Sequence, residues 1–125
     1  NCLDMFREMF LTTGLAKLRE EDAAVVDALD VLHMATVGSA LAMRLFDADV
    51  LADGKLADIV MIDLDQPNMR PFNNIPKNIV YSGSKSNVKM TMISGEILYQ
   101  NGRFSDRYDV ERIYANAQNV IDVIR

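Results

Sequence analysis

Tryptophan is absent from this 125-residue chain, and cysteine and histidine occur once each, as Cys2 and His33. A single cysteine excludes an internal disulfide, so nothing points to an oxidising compartment. A single histidine is too few for the usual catalytic zinc site, which takes several protein ligands, most often including histidines, plus a water. Basic residues number 13 and are scattered, and the formal net charge is −5. A phosphate-backbone partner needs a concentrated cationic face, so no nucleic-acid partner is expected. No apolar run approaches the roughly 20 residues that span a bilayer, and no basic stretch leads an apolar one as in a secretory signal. A cytoplasmic location with no membrane partner is the default expectation.

What is present is an ordinary globular composition, 50% hydrophobic and 25% charged, long enough to bury a core without staples. The chain opens on Asn1 rather than methionine, at what reads as a helix start. That combination predicts a processed protein or a piece of a longer one.

Residues 1–46 read as helical. Leu3, Phe6, Phe10, Leu11, Leu15 and Leu18 recur at three- and four-residue spacings, predicting a broad apolar face with Asn1 as N-cap. Asp27 caps a second helix expected over Ala28–Phe46, with Asp30 at the N3 position of a weak capping box. That helix is apolar almost all round, which predicts enclosure on several sides. Its small residues Gly38, Ser39, Ala40 and Ala42 form a smooth side where overpacking by Gly38→Leu should destabilise.

Residues 47–104 change character. Strands are expected over 57–64, 79–81, 88–94 and 97–100, with turns at Asp53-Gly54, Gly95-Glu96 and Asn101-Gly102. Pro67, Pro71 and Pro76 are expected to keep the intervening loop irregular. Residues 105–125 read as a closing helix capped by Asp106 or Asp109, with Val110, Ile113, Tyr114, Ala117, Val120, Ile121 and Ile124 on one face.

Chemistry-bearing patterns are scarce. His33 sits between Leu32 and Met34 with no second ligand nearby and reads as a packed or hydrogen-bonded structural histidine. Cys2 at a helix start has no histidine near it in sequence to act as base. Asp58, Asp63 and Asp65 could be drawn as a carboxylate cluster for Mg²⁺ or Ca²⁺, but Asp58 stands at the strand entrance and the other two at its exit. Solvated strand ends are the plainer reading. "SGSKSN" (82–87) hints at a phosphate loop without the glycine spacing or the following helix.

Two stretches carry more information as a pair. "LHMATVGSA" (32–40) followed by "GKLADIVMID" (54–63) resembles the C-terminal signature of metal-dependent amidohydrolases, a helix of the form A-L-x-M-A-T-x-x-G-A running into G-K-x-A-D-[ILV]-[IV]-x-[IL]-D. "NIVYSGSKSNVKMTMISGEILYQNGRF" resembles the last strands of that family. "NCLDMFREMF" is similar to the segment after the metal-binding aspartate loop in the branch deaminating adenosine-like thioethers, guanine, cytosine and triazines. The resemblance runs collinearly from Asn1 to about Phe104, with Ser39 where alanine is common and "DADV" lacking a usual glycine.

The resemblance implies an α+β piece of a larger enzyme. Residues 1–46 would be the last helices of a (β/α)8 barrel, 47–104 strands of a small composite β-sandwich, and 105–125 a terminal helix. The intact parent would act on a small-molecule substrate through metal-activated hydroxide, zinc being the expected divalent metal, with a glutamate shuttling the proton. The family's metal ligands and acid-base glutamate lie upstream of Asn1, so this chain is expected to bind no metal, hold no catalytic residue and be inactive alone. Asn1 would support the loop behind the metal aspartate. Thr36, Gly38, Gly54, Lys55, Ala57, Asp58, Asp63, Gly95 and Gly102 are motif residues with structural roles. Its apolar surfaces predict a homo-oligomer burying Val37, Leu41 and Leu45. The alternative from the residues alone is a free-standing, non-catalytic α+β assembly module.

Overall fold

The computed structural model describes residues 3–124. Helix α1 (Met5–Glu20) starts at Asp4, whose extended backbone and side-chain acceptor for the Arg7 N–H make it the N-cap. The cap expected at Asn1 lies outside the described residues; the carboxylate of Asp4 serves the first turn instead. The inward side of α1 carries Phe6, Met9 and Thr13, whereas Phe10, Leu11, Leu15 and Leu18 are exposed. The sequence spacing thus described a real apolar stripe, but not the one this chain buries.

Asp27 caps α2 (Ala28–His33) by accepting the Leu29 N–H at 2.7 Å. The helix runs unbroken through a π turn (Met34–Gly38) into α3 (Ser39–Ala42). It stops short of the expected Phe46 in a Schellman ending: Arg44 turns left-handed (φ 61°), the Leu45 N–H donates to Ala40 and the Arg44 N–H to Leu41. Ala28, Val31 and Ala40 are buried, but Leu29, Met34 and Leu41 are exposed, so the expected all-round enclosure is not realised here.

The sheet contains four antiparallel strands among the described residues, in spatial order β1 (Ile59–Ile62), β2 (Val88–Ile93), β3 (Glu96–Gln100) and β4 (Arg103–Phe104). Ile59 pairs with Met92 and Met61 with Met90, then a bulge shifts Ile62 onto Val88. Both hairpins turn on two residues with positive φ, Ser94-Gly95 (50° and 81°) and Asn101-Gly102 (49° and 84°). This is the turn whose twist matches the strands, and glycine at the second place adopts it without a Cβ clash. The first turn falls one residue earlier than Gly95-Glu96.

The strand expected at 79–81 is helical instead. Asn74 accepts the Lys77 N–H at 3.0 Å and starts a short helix, α4 (Ile75–Lys77), that continues as a π turn (Asn78–Ser82). Its β-branched run suggested a strand, but Ile79 and Val80 gain burial against α1 and α2 as a helical turn, and packing overrides propensity. Two of the three prolines start turns, while the stretch around Pro71 is irregular as expected. Pro67 leads a 3-10 turn (Pro67–Met69) and Pro76 lies in the first turn of α4, where no amide donor is needed.

The core gathers Met9, Ala28, Val31, Met69, Ile79 and Val80, with Phe6, Leu32, Ile62, Leu64 and Tyr81 packed around it. Asp109, not Asp106, caps α5 (Val110–Ile124) by accepting the Arg112 N–H at 2.9 Å. No residue of α5 is buried, and its apolar residues Ile113, Tyr114 and Ile121 are each more than half exposed. Among the described residues no helix is long and apolar enough to cross a membrane.

Candidate functional site

The motif residues converge on two joints rather than on a catalytic cleft. At the first, the loop before β1 is closed by Lys55, whose Nζ donates to the Phe46 carbonyl and to Asp49 Oδ1 at 2.7 Å. The Lys55 ammonium holds the Asp49 carboxyl below the usual carboxylate range. Gly54 supplies the left-handed step (φ 82°) that brings Lys55 round. Ala57 and Asp58 then grip the β2–β3 turn from the side. The Ala57 carbonyl accepts the Gly95 N–H at 3.1 Å, and Asp58 Oδ1 accepts the Ser94 N–H at 2.6 Å. One dipeptide thus fixes a hairpin more than thirty positions away.

The second joint lies where β1 ends. The Asp63 N–H donates to the Asn87 carbonyl at 2.7 Å, its Oδ1 accepts the Asp65 N–H, and its Oδ2 accepts the Gln66 amide. Those donors, the Asp65 N–H foremost, hold the Asp63 carboxyl below its usual range, with Lys89 adding a weaker pull at 3.8 Å. Asn87 is fully buried and satisfied on both sides of its amide. Its Oδ1 accepts from Asn68, from the Ser84 N–H and from the Ser84 hydroxyl, and its Nδ2 donates to Asn68 Oδ1 and to the Asp63 carbonyl. Ser84 and Asn87 form a capping box on a 3-10 turn (Lys85–Asn87), so "SGSKSN" is a structural cap rather than a phosphate cradle.

Two more residues escaped the sequence reading. Gly83 lies under α1, where an added Cβ would sit 2.4 Å from the Ile79 carbonyl oxygen and 2.7 Å from the Phe6 ring. Tyr81 accepts a 2.8 Å hydrogen bond from Lys17, whose ammonium also lies 4.5 Å from the ring centroid. The Ser84-x-x-Asn87 spacing was the available signal for the knot; nothing local marks Gly83.

Thr36 donates its hydroxyl to the Leu32 carbonyl at 2.9 Å, one turn back along the helix. Gly38 faces no neighbouring element: a Cβ there meets only the His33 carbonyl at 3.4 Å. The overpacking expected of the Gly38 face is therefore not what this chain presents. His33 is exposed at the end of α2 with no side-chain hydrogen bond among the described residues, neither packed nor bonded as expected. Asn1 and Cys2 lie outside the described residues.

Among the described residues no group of three His, Cys, Asp or Glu side chains could hold a metal ion, so the chain's own residues do not fit the metal centre that the family resemblance implies. A concavity of about 1000 Å³ between the sheet and α5 is lined by apolar groups such as Leu98, Tyr99, Phe104 and Ile113, with Lys85 the one ionisable group besides tyrosines among its described lining residues.

Relatives place these joints in context. The chain is 40% identical over 120 residues to a 5-methylthioadenosine/S-adenosylhomocysteine deaminase of Nitratidesulfovibrio vulgaris, covering 96% of this chain and 27% of that protein. Its structure is similar to that of a zinc-bound adenosine deaminase from Xanthomonas campestris, with a TM-score of 0.90 at 30% identity over 97% of this chain and 28% of the other. It is also similar to the zinc complex of an atrazine chlorohydrolase from Arthrobacter aurescens, with a TM-score of 0.75 at 29% identity over 88% of this chain and 25% of the other. The chain thus spans about a quarter of the length of the relatives it matches. A match to the amidohydrolase family model runs through residues 1–98, across both joints, and the chain belongs to that family.

Proposed function

We propose that this chain is the C-terminal segment of a metal-dependent hydrolase that removes the exocyclic amine of an adenosine-type nucleoside or thioether. The observation that carries this reading is the near end-to-end likeness to a deaminase of 5-methylthioadenosine and S-adenosylhomocysteine, joined to a closer structural likeness to an adenosine deaminase than to a triazine enzyme. Residues 1–46 then wall the barrel, 47–104 complete the small sandwich, and 105–125 close it. The segment's task is to hold shape: the Lys55 and Asp58 contacts set the strand entrance, and the Asn87 knot sets its exit. Alone, it lacks the ligands for the metal and the base for the proton and turns over no substrate. In the intact protein Asn1 supports the loop behind the metal aspartate.

The test is ammonia release by the full-length protein from which this segment comes, offered S-adenosylhomocysteine, 5-methylthioadenosine, adenosine, guanine, cytosine and a triazine in parallel. Turnover of the adenosine-type compounds above the rest supports the reading. Preference for guanine, cytosine or the triazine overturns the substrate class. Zinc-dependent turnover by the 125-residue chain alone overturns the division of labour.

A further inference from the structure

Asn101 and Gly102 make an exposed two-residue turn with both φ angles positive, and they form the sequence's sole Asn-Gly step. We propose that Asn101 is a site of spontaneous deamidation whose rate is gated by the Tyr99–Phe104 contact across the β3–β4 hairpin. In this reaction the Gly102 backbone nitrogen attacks the Asn101 side-chain carbonyl carbon. A C–N bond forms to close a five-membered succinimide, the bond to Nδ2 breaks, and the amide leaves as ammonia, taking up the proton released by the attacking nitrogen. Water then opens the ring at either carbonyl, giving aspartate or isoaspartate. The balance is amide plus water to acid plus ammonia, with no redox partner.

Three observations single out Asn101. Its successor has no side chain to shield the attacking nitrogen, whereas Asn74 and Asn78 precede isoleucine and Asn87 precedes valine. Both turn residues are exposed, and the Gly102 N–H makes no hydrogen bond among the described residues. The amides of Asn68, Asn74, Asn78 and Asn87 are instead occupied by hydrogen bonds that attack would break.

The gate follows from the backbone. Asn101 sits left-handed at φ 49°, and closing the ring requires the chain to leave that turn. The turn is held by the Asn101 N–H on the Lys89 carbonyl (2.9 Å), the Ser105 N–H on the Leu98 carbonyl (2.8 Å), and the edge-on Tyr99–Phe104 rings 5.2 Å apart. Strand β4 is two residues long and pairs on one side only. Opening it is a local event that leaves the core intact, and the reaction rate follows the open population. The product matters structurally: isoaspartate puts an extra methylene in the main chain between Gln100 and Arg103, which pair across the turn, and so breaks their register.

The experiment is peptide mapping by mass spectrometry of the purified chain held at mildly alkaline pH, with isoaspartate distinguished from aspartate. Wild type is expected to deamidate at Asn101 before any other asparagine. Phe104→Ala, which deletes one ring of the gate, should speed the reaction about two- to tenfold. A parallel wild-type series in sub-denaturing urea, with hydrogen exchange read at Arg103 and Ser105, gives a second measure should the variant fail to fold. Deamidation rising in step with exchange supports the gate. Another asparagine reacting first, an unchanged rate in folded Phe104→Ala, or a flat rate while exchange accelerates each overturns the proposal.

Discussion

Replacing Gly83 with alanine adds one methyl group, and the structure says where it goes. The new Cβ lies 2.4 Å from the Ile79 carbonyl oxygen and 2.7 and 2.9 Å from two Phe6 ring carbons. The Gly83 backbone itself is extended (φ −65°, ψ 151°), a conformation alanine adopts freely. Lost chain freedom in the unfolded state therefore works in favour of the variant, by about 0.4–1 kcal/mol. Against this stands the clash. The Phe6 ring can swing, but the carbonyl belongs to the π turn that carries buried Ile79 and Val80. Moving it disturbs the core, and overpacking of this kind costs about 1–3 kcal/mol. The clash outweighs the entropy gain, leaving a net loss of about 1–2 kcal/mol. Urea unfolding of the purified chain followed by circular dichroism should show the midpoint falling by roughly half to one molar. Gly14→Ala is the control: nothing lies within 4 Å of its Cβ, and in an exposed helix interior it should stabilise by about 0.5–1 kcal/mol. Phe6→Ala combined with Gly83→Ala should recover only part of the loss, because the carbonyl clash persists. Equal stability of Gly83→Ala and wild type would refute the close packing of α1 on this loop.

Asn87→Ala leaves the Ser84 N–H and the Asp63 carbonyl without their partner in a buried joint and should cost about 2–3 kcal/mol by the same urea assay. The Asp63 carboxyl is held low, so its contribution is fully present above the unfolded carboxylate range, about pH 4, and is lost as pH falls through the lower folded value. Asp63→Asn should accordingly flatten stability against pH in the acid limb and leave the neutral limb's slope unchanged; an identical acid limb would show that the Asp65 and Gln66 bonds do not form. Leu41 and Leu45 are 45% and 48% exposed beside half-buried Val37, and light scattering should find a dimer or higher oligomer that Leu41→Glu with Leu45→Glu shifts toward monomer. A wild-type monomer would refute that face as an interface.

How far the residues could be read depended on whether their partners were local. The caps at Asp27 and Asp109 and the turn at Asn101-Gly102 rest on contacts a few positions apart, and the spacing exposed them. The strand expected at 79–81 failed because Ile79, Val80 and Tyr81 look alike in either periodicity. Their choice of a helical turn depends on Met9 and Val31, more than forty residues away. Gly83 was invisible for a similar reason: the Phe6 ring that crowds it is far away in sequence, and the Ile79 carbonyl crowds it only because that stretch turns helical. On α1 the apolar spacing was seen and its inward side misassigned. Phe10, Leu11, Leu15 and Leu18 stay uncovered, while Phe6 and Met9 take the local core. A stripe says that something packs there; it does not say which element.

The motif residues show how a strong family signature can rest on contacts that hold shape. Lys55, Ala57, Asp58 and Asp63 each end in contact with backbone or with a turn-forming side chain. Substituting any of them would shift a turn. A strand entrance held by Lys55 and Asp58, and an exit held by Asn87, fix both ends of β1 to parts of the chain that local propensity would leave loose. Such joints depend on one residue type at each place: an ammonium long enough to reach a carbonyl and a carboxylate together, or an amide that donates and accepts at once. That chemical narrowness is sufficient to make the pattern recognisable.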